Sequence, residues 1–343
     1  MERLSVGVDV SKDTLDVAYW EHDEAVYMGQ YANNQKGFQA IRRKVGQKRE
    51  ETEAIIVHIV MEPTGGYEQP FAHFVDQQSD WQASLPNPLR VREWSKGMGK
   101  RARTDSNAAK TLAHYGHMQK PPAWHPLSQE VEELEHLLNR LEDYQDLLLR
   151  EKNRLHAYEN RSNLHKLAFE SHRQTIDFLA EQIKLIQDAI KEHLKTHSHL
   201  REQRKHLLTV PGVGEKNVLY ILVMLHRWGE LTSGQGNAKS LAAYLGLDPT
   251  PHESGSSVRK RARISRQGSR KLRSRLYMGA LGGMRSKGSP LKTFYVRLVN
   301  RGKAKKLALV ASARKILVWC WAVFRGNVSF DTARFANIHL FSP

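Results

Sequence analysis

The apolar run at residues 54–61 constrains the fold of this chain more than any other stretch. Its length and its content of Ile and Val are typical of a buried central strand. Residues 4–10, 16–20 and 25–28 precede it as three strand-like segments separated by short polar turns. Asn34 is placed to cap a helix that runs to about Val45. We therefore expect a sheet and helices in this part of the chain.

The order of the elements around this run predicts the class of the N-terminal domain. After the run, residues 67–76 have a helical pattern and residues 81–85 form a further short strand. Three antiparallel strands, a helix, a parallel strand, a helix and a strand are the order of an RNase H-like α/β fold. We assign this domain to residues 1–125.

A change of pattern follows Pro121, Pro122 and Pro126, because proline interrupts regular structure. From residue 128 onward, apolar side chains recur at spacings of three, four and seven in two runs that end near residues 155 and 194. These runs predict two long amphipathic helices with a polar break near residues 160–163. Residues 126–200 are expected to form a coiled coil for oligomerisation, and the periodicity leaves open a hairpin within one chain or a coiled coil between chains.

The charge balance favours a polyanionic partner. The chain has 53 Lys and Arg against 36 Asp and Glu, which gives a formal net charge of +17 at pH 7. Residues 201–343 have a helical, basic pattern, and residues 254–315 contain no acid. Such a surface suits nucleic acid, since each neutralised phosphate releases counterions; general solubility and non-specific RNA binding are the alternatives. The basic residues expected to contact nucleic acid are Lys216, Arg259, Lys260, Arg261, Arg263, Arg266, Arg270 and Lys271.

Cysteine and histidine usage indicates a reducing compartment. Cys320 is the single cysteine, so an internal disulfide is excluded, and no Cys/His cluster has zinc spacing. The 17 histidines are scattered singly and are expected at the surface or at caps. No signal peptide opens the sequence, and no 18-residue apolar run predicts a membrane span. We expect a cytosolic protein that does not contact a membrane.

Three carboxylates stand where a sheet edge could hold a metal. Asp9 lies near the end of the first strand, Glu62 directly follows the apolar run, and Asp105 begins a helix. Carboxylate oxygens suit Mg²⁺, and a pair of such ions can activate the attacking oxygen and stabilise the leaving oxygen of a phosphodiester. Each acid also has a simpler explanation as a cap, a turn residue or a strand-end acid. Asp13 and Asp16 are expected to be turn and surface acids.

Ser254 lies in a polar Gly/Ser loop, residues 252–259, that leads into the basic run at residues 260–263. A serine beside guanidinium groups can attack phosphorus while the arginines offset charge in the transition state. The alternative is a flexible loop that only grips the phosphate backbone. Spacing identifies no general base for the serine.

The PGVG sequence at residues 211–214 joins two helical stretches. It resembles the turn of a helix-hairpin-helix DNA-binding module. Backbone N–H groups at Gly212 and Gly214 would then face a phosphate at a helix start. A plain turn between two helices is the alternative.

Taken together, these motifs resemble the insertion-sequence-110 family of transposases, the DEDD recombinases related to the Piv DNA invertases. The segments that carry the resemblance are residues 7–12 (GVDVSK), 61–67 (MEPTGGY), 103–105 (RTD), 211–214 (PGVG) and 253–259 (ESGSSVR). Each motif is short, but their order and spacing span nearly the whole chain.

The resemblance implies a fold, a chemistry and a set of partners. It implies a RuvC-like domain whose acidic quartet binds Mg²⁺, with two ions expected, and Asp9, Glu62 and Asp105 would be the first three acids. A coiled coil would lead to a C-terminal transposase domain, residues 201–343, in which Ser254 is the nucleophile that forms a covalent link to DNA. The implied partners are donor and target DNA, a structured non-coding bridge RNA and further copies of the chain, as a dimer or tetramer, near the nucleoid of a bacterial cytoplasm.

One position departs from the family's pattern. A second aspartate follows the third acid by three residues in the family, so that both face the metal from one helical turn. This chain has Ala108 there. The adjacent Asn107 points about 100° away around a helix and carries no charge. Loss of one carboxylate predicts weaker metal binding and impaired cleavage, and both an introduced substitution and a natural variant would account for the alanine.

Three classes of function stay open at this point. The first is an RNA-guided recombinase that excises and integrates an insertion sequence by serine attack on DNA. The second is a site-specific DNA invertase or a junction-resolving nuclease, of which the nuclease needs the carboxylates but no serine. The third is a non-catalytic protein that binds nucleic acid.

Overall fold

The computed structural model describes residues 3–99, 105–161, 163, 165–232, 234–254, 258–285 and 288–332. Contacts between Cα atoms divide the chain into two compact units. The first unit comprises Met1–Pro126 and Gly229–Gln235, and the second comprises Leu127–Trp228 and Gly236–Pro343. The finer division at residues 1–125, 126–200 and 201–343 stays a prediction.

A five-stranded mixed sheet forms the centre of the first unit. Its strands are β1 (Arg3–Val10), β2 (Thr14–Glu21), β3 (Glu24–Ala32), β4 (Ile56–Met61) and β5 (Trp81–Ser84), in the order β3-β2-β1-β4-β5. Neighbours pair antiparallel from β3 to β1 and parallel from β1 to β5. The helices of this unit include α1 (Gln35–Glu51), α2 (Gln69–Asp76), α3 (Pro88–Gly97) and α4 (Asp105–Gln119). A mixed sheet with helices confirms the predicted α/β class.

β4 is the buried central strand that the apolar run predicted, and it lies between β1 and β5. Val57, Ile59 and Met61 join a core that includes side chains of α1 and α2. Val60, on the opposite face, packs with Leu112 of α4. Because both faces of β4 are covered, apolar residues occupy successive positions along it. Each fully buried aliphatic side chain contributes about 1.5–3 kcal/mol to the free energy of folding.

The start of α1 confirms the capping role predicted for Asn34. Its side chain accepts hydrogen bonds from the backbone N–H groups of Lys36 and Gly37, both at 3.1 Å. A cap of this kind stabilises a helix by about 1 kcal/mol. The helix continues beyond Val45 to Glu51, because polar residues extend it without adding to its apolar stripe.

A helical hairpin opens the second unit. Its helices, α5 (Gln129–Glu159) and α6 (Lys166–Thr196), have 31 residues each. The Glu151 carboxylate contacts His172 Nδ1, and the Glu130 carbonyl accepts a hydrogen bond from His193 Nε2 at 2.7 Å. Residue numbers rise on α5 as those of their partners fall on α6, so the two helices are antiparallel. Of the two arrangements that periodicity left open, the structure contains the hairpin within one chain.

The chain continues through α7 (Ser198–Leu208), α8 (Val218–Leu231), α9 (Ala238–Tyr244), β6 (Pro249–Ser254), β7 (Val258–Ile264), α10 (Arg270–Gly283), α11 (Pro290–Asn300) and α12 (Lys305–Gly326). The expectation of a polar loop at residues 252–259 is wrong, because β6 and β7 pair as an antiparallel two-stranded sheet. Val258, Ala262 and Ile264 alternate with arginines in β7, but Lys260 breaks the alternation, so the basic composition hid a weak strand signal. Residues 255–257, between the strands, lie outside the described part of the chain.

α12 has the length and apolar character of a membrane span, with at most two charged residues in an 18-residue window. Arg314 and Lys315 interrupt its apolar residues, so no continuous apolar run marks this helix in the sequence. It is the one helix of this kind among the described residues, and 61% of the window is buried inside the protein. Ile316, Leu317 and Trp319 are among its buried side chains. These features are those of a core helix of the second unit.

Candidate acidic site and nucleic-acid interface

Asp9 and Glu62 come together at one edge of the sheet. The parallel register aligns Val8 of β1 with Met61 of β4, so Asp9 and Glu62 are the next residues along the two paired chains. Val8 and Met61 point into the core that contains α1 and α2. Since side chains alternate along a strand, the two acids are placed on the opposite face. Both are partly buried.

α4 covers that face in direct backbone contact with β1. A Cβ atom on Gly7 would lie 2.1 Å from the Ala109 carbonyl oxygen and 2.2 Å from the Ala113 backbone nitrogen. The Ser5 hydroxyl donates a hydrogen bond to the Ala113 carbonyl at 2.7 Å. A side chain at residue 7 would therefore push the helix away from the strand.

The first turn of α4 is directed toward the acidic edge. Ser5 of β1 contacts Ala113 of α4, whereas Gly7 contacts both Ala113 and Ala109, one helical turn closer to the N-terminus of α4. The next position on the same face of β1 is Asp9, one strand repeat further on. The corresponding part of α4 is its first turn, which begins at Asp105 and includes Ala108.

Ala108 lies on the stripe of α4 that faces β4. Leu112, one turn further along, is buried against Val60 of β4, and Ala108 itself is half-buried. The side chain of Asp105 lies outside the described residues, so only its backbone position is known. The chain thus offers a methyl group at the position where the resemblance predicts a fourth carboxylate.

Asp16 is a further carboxylate on this face, and the expectation of a surface acid is wrong for it. Only 5% of Asp16 is exposed, and it stands opposite Asp9 in the β1–β2 register. Its carboxylate accepts hydrogen bonds from Tyr27 Oη at 2.6 Å and from Gln30 Nε2 at 2.9 Å. Residues directly opposite on paired strands share a face. Asp16 therefore adds negative charge beside Asp9.

The loop that follows Glu62 is held by Glu68, which the sequence analysis did not single out. Glu68 is 3% exposed, and its Oε2 atom accepts hydrogen bonds from the backbone N–H groups of Thr64 at 2.8 Å and Gly66 at 3.0 Å. Gly65 and Gly66 have φ angles of +65° and +101°, which favour glycine. These φ angles explain why the MEPTGGY segment contains two consecutive glycines three and four residues after the acid.

Ser254 is the last residue of β6 and is aligned with Val258 of β7. It belongs to the second unit, whereas Asp9, Glu62 and Asp105 belong to the first. The structure therefore brings Asp9, Glu62 and the start of α4 together, and it places the backbone of Ser254 on a separate hairpin. Side chains outside the described residues include those of Ser254, Arg259, Lys260 and Arg261.

The described residues of the predicted basic surface are exposed, and Lys271 among them is also ion-paired. Arg263, Arg266 and Arg270 are exposed. Lys271 contacts two carboxylates of α5, Glu142 at 2.9 Å and Asp146 at 3.5 Å. The acid-free stretch is therefore partly neutralised by another helix of the same unit, which a count along the sequence could not reveal.

The PGVG turn is packed against α10 rather than left open. Gly212 has a φ of +92°, and a Cβ there would lie 2.8 Å from the Gly279 carbonyl oxygen. The Gly214 backbone N–H donates to Asn217 Oδ1 at 2.8 Å, so this group is already satisfied. Lys216 is exposed beside the turn. The geometry favours a tightly packed turn.

Two family models match successive segments of this chain. Residues 6–158 match a family model described as a transposase of the DEDD type, and residues 204–296 match the transposase family IS116/IS110/IS902. The pilin gene-inverting proteins of Moraxella bovis and Moraxella lacunata are each 30% identical to this chain over 331 residues, which is 96% of this chain and 98% of each of them. The chain belongs to the IS110 family.

Shorter similarity extends to other proteins of insertion elements. The insertion element IS110 uncharacterized 43.6 kDa protein of Streptomyces coelicolor is 31% identical over 134 residues, 39% of this chain and 32% of that protein. Within this IS110-family chain, Asp9, Glu62 and Asp105 fall in the first matched segment and Ser254 falls in the second. The resemblance inferred from the motifs is confirmed at the level of the family.

Proposed function

We propose that this chain is a DNA recombinase in which Asp9, Glu62 and Asp105 bind Mg²⁺ and Ser254 attacks the DNA backbone. The observation that carries the proposal is the meeting of Asp9, Glu62 and the first turn of α4 at one sheet edge. Carboxylate oxygens are the ligands that Mg²⁺ prefers, so the donor chemistry fits. The strand order supports an RNase H-like, RuvC-like fold for the first unit.

The chemistry proposed for Ser254 is a transesterification. Its Oγ forms an ester bond to phosphorus, the bond from that phosphorus to one deoxyribose oxygen breaks, and this oxygen takes up a proton while the serine loses one. The phosphoserine link keeps the energy of the broken bond, so a second attack can rejoin strands without another energy source. When bound, one or two Mg²⁺ ions would supply charge neutralisation at the phosphoryl oxygens.

The second unit is proposed to hold the nucleic acids. Arg263, Arg266 and Arg270 are exposed and would contact phosphates, which position a duplex but carry no sequence information. A structured guide RNA that pairs with donor and target DNA would supply the specificity. We further propose that copies of the chain assemble, with the acidic edge of one copy acting with Ser254 of another, on DNA in the bacterial cytoplasm.

Ala108 makes this proposal directly testable. Replacing it by aspartate should complete the carboxylate set and raise recombination by at least about tenfold, because one more oxygen ligand reaches the metal. Asn107→Asp is the matched control, since it adds the same charge on the same turn but about 100° away. The assay is recombination between two marked plasmids, and equal activity of A108D, N107D and the starting chain would contradict the proposal.

Ser254→Ala, made in the A108D chain, tests the nucleophile. Recombination and any covalent protein–DNA adduct should both disappear, while binding to DNA persists. A junction-resolving nuclease would still cut without this serine. A non-catalytic binding protein would form no adduct in either chain.

Site-specific DNA inversion is a second candidate function. It is favoured by the 30% identity to the pilin gene-inverting proteins over nearly the full length. Sequencing the RNA that co-purifies with the chain separates the two candidates. A single folded RNA complementary to both recombining DNA sites supports guidance, whereas recombination by RNA-free protein at inverted sites supports the invertase.

A further inference from the structure

We propose that Glu133, His193 and His197 form a site for a transition-metal ion, with Zn²⁺ as the best-suited occupant, at the base of the helical hairpin. One ligand atom from each of these residues lies within 4.8 Å of the others. The site belongs to the second unit and shares no residue with the acidic edge of the first. It revises the expectation that all histidines occur singly.

The hydrogen bond to the Glu130 carbonyl determines which ring nitrogen of neutral His193 carries the hydrogen. Its Nε2 atom lies 2.7 Å from the Glu130 carbonyl oxygen, which can only accept a hydrogen bond. Nε2 therefore carries the proton, and in the neutral ring the lone pair is on Nδ1. Histidines that bind metals commonly donate their other N–H to a backbone carbonyl in this way. The ring is also held firmly, since its side chain is 9% exposed.

The lone pair of His193 faces a carboxylate oxygen. Nδ1 lies 3.7 Å from Glu133 Oε2, beyond the range of a direct hydrogen bond. The other oxygen, Glu133 Oε1, accepts a hydrogen bond from Gln129 Nε2 at 2.8 Å, which leaves Oε2 directed at the histidine. A metal ion between these two acceptors would satisfy both of them. Two ligands of a tetrahedral Zn²⁺ ion lie about 3.4 Å apart, close to the observed separation.

His197 supplies the third ligand from the junction between α6 and α7. Its ring centroid lies 4.4 Å from that of His193, and its backbone N–H donates to the His193 carbonyl at 3.0 Å. Imidazole ligands favour Zn²⁺ over Mg²⁺, which prefers oxygen. Three protein ligands leave a fourth position for water. A bound ion would connect the start of α5 to the junction between α6 and α7.

The test is Zn²⁺ binding by untagged full-length chain after removal of metals, measured by calorimetry in excess Mg²⁺ so that the carboxylate edge is occupied. We expect one Zn²⁺ ion per chain and a visible Co²⁺ spectrum of tetrahedral type. Glu133→Gln and His197→Gln should each weaken binding by at least about tenfold. His156→Gln, an exposed histidine near the far end of α5, is the matched control and should bind like the starting chain.

Two results would overturn the proposal. One is Zn²⁺ binding by the double variant Glu133→Gln/His197→Gln as tight as by the starting chain, with circular dichroism showing both folded. The other is no binding to the starting chain at 100-fold molar excess of Zn²⁺ over protein, which would mean that these three side chains do not hold a metal ion. Asp9→Ala should retain the Co²⁺ spectrum, because its carboxylate lies in the other unit.

Discussion

Gly7→Ala is expected to dislodge α4 from β1. The new Cβ would lie 2.1 Å from the Ala109 carbonyl oxygen, whereas ordinary C···O contacts begin at about 3.3 Å. The helix must therefore move by roughly 1 Å, since the clashing atoms are backbone and cannot rotate aside. Overpacking in a core costs about 1–3 kcal/mol, and a backbone clash places this change at the upper end.

A second glycine in the same unit provides the control. Gly46 lies in α1, and a Cβ there would meet no atom within 4 Å. Gly46→Ala should therefore stabilise the unit by about 0.5–1 kcal/mol, because alanine is the better helix former. The two variants add the same methyl group, yet their free energies of unfolding should differ by about 4 kcal/mol.

Urea unfolding, combined with hydrogen exchange of peptides from α4, measures the difference. Gly7→Ala should lower the urea midpoint by about 1–3 M, given slopes of about 1–3 kcal/mol/M, and α4 should lose protection first. In the A108D chain it should also reduce recombination by about 10²-fold, since α4 carries Asp105. Midpoints and α4 protection equal to those of Gly46→Ala would refute the reasoning.

Three further predictions concern pH, the PGVG turn and DNA binding. Burial lowers the pKa of His58 from 6.5 to about 4, so protonation of this side chain opposes folding. The free energy of unfolding should therefore be highest above pH 6.5 and fall by up to about 3 kcal/mol as the pH drops toward 4. His58→Gln should remove this dependence in urea titrations at a series of pH values. Gly212→Ala should destabilise the second unit by more than about 2 kcal/mol in thermal melts, whereas Gly214→Ala, which meets no atom within 4 Å, should change it by less than about 1 kcal/mol. Arg270→Ala should weaken non-specific DNA binding and reduce the salt slope by about 1, and Lys271→Ala should do less because that lysine is already ion-paired.

The sheet could be predicted from the sequence because its signals are local. Apolar alternation and the run at residues 54–61 indicate the five strands along the chain. Asn34 indicates the start of the helix that follows the third strand. The ends of elements were less accurate. β3 extends to Ala32 and α1 to Glu51, since exposed polar residues continue an element without changing its apolar pattern.

The contacts that position the candidate sites depend on residues distant in the sequence. Gly7 alone does not show that α4 will lie on it, and Asp16 has the sequence context of a surface acid although it is buried opposite Asp9. The pairing of Lys271 with Glu142 joins residues more than 120 positions apart. His193 and His197 form a His-x-x-x-His pair that is visible in the sequence, but Glu133 is on another helix, so no short motif could indicate the third ligand.

The length of α5 and α6 determines how far the tip of the antiparallel hairpin lies from its base. Thirty-one helical residues at about 1.5 Å each give α5 and α6 a length of roughly 46 Å. One turn of B-DNA measures about 34–36 Å along its axis. Because Lys271 of α10 contacts Asp146, the part of α5 beyond this contact is residues 147–159, which measure roughly 20 Å, about half a turn of the double helix. Removing seven matched residues from each helix would draw the tip of the hairpin back by about 10 Å.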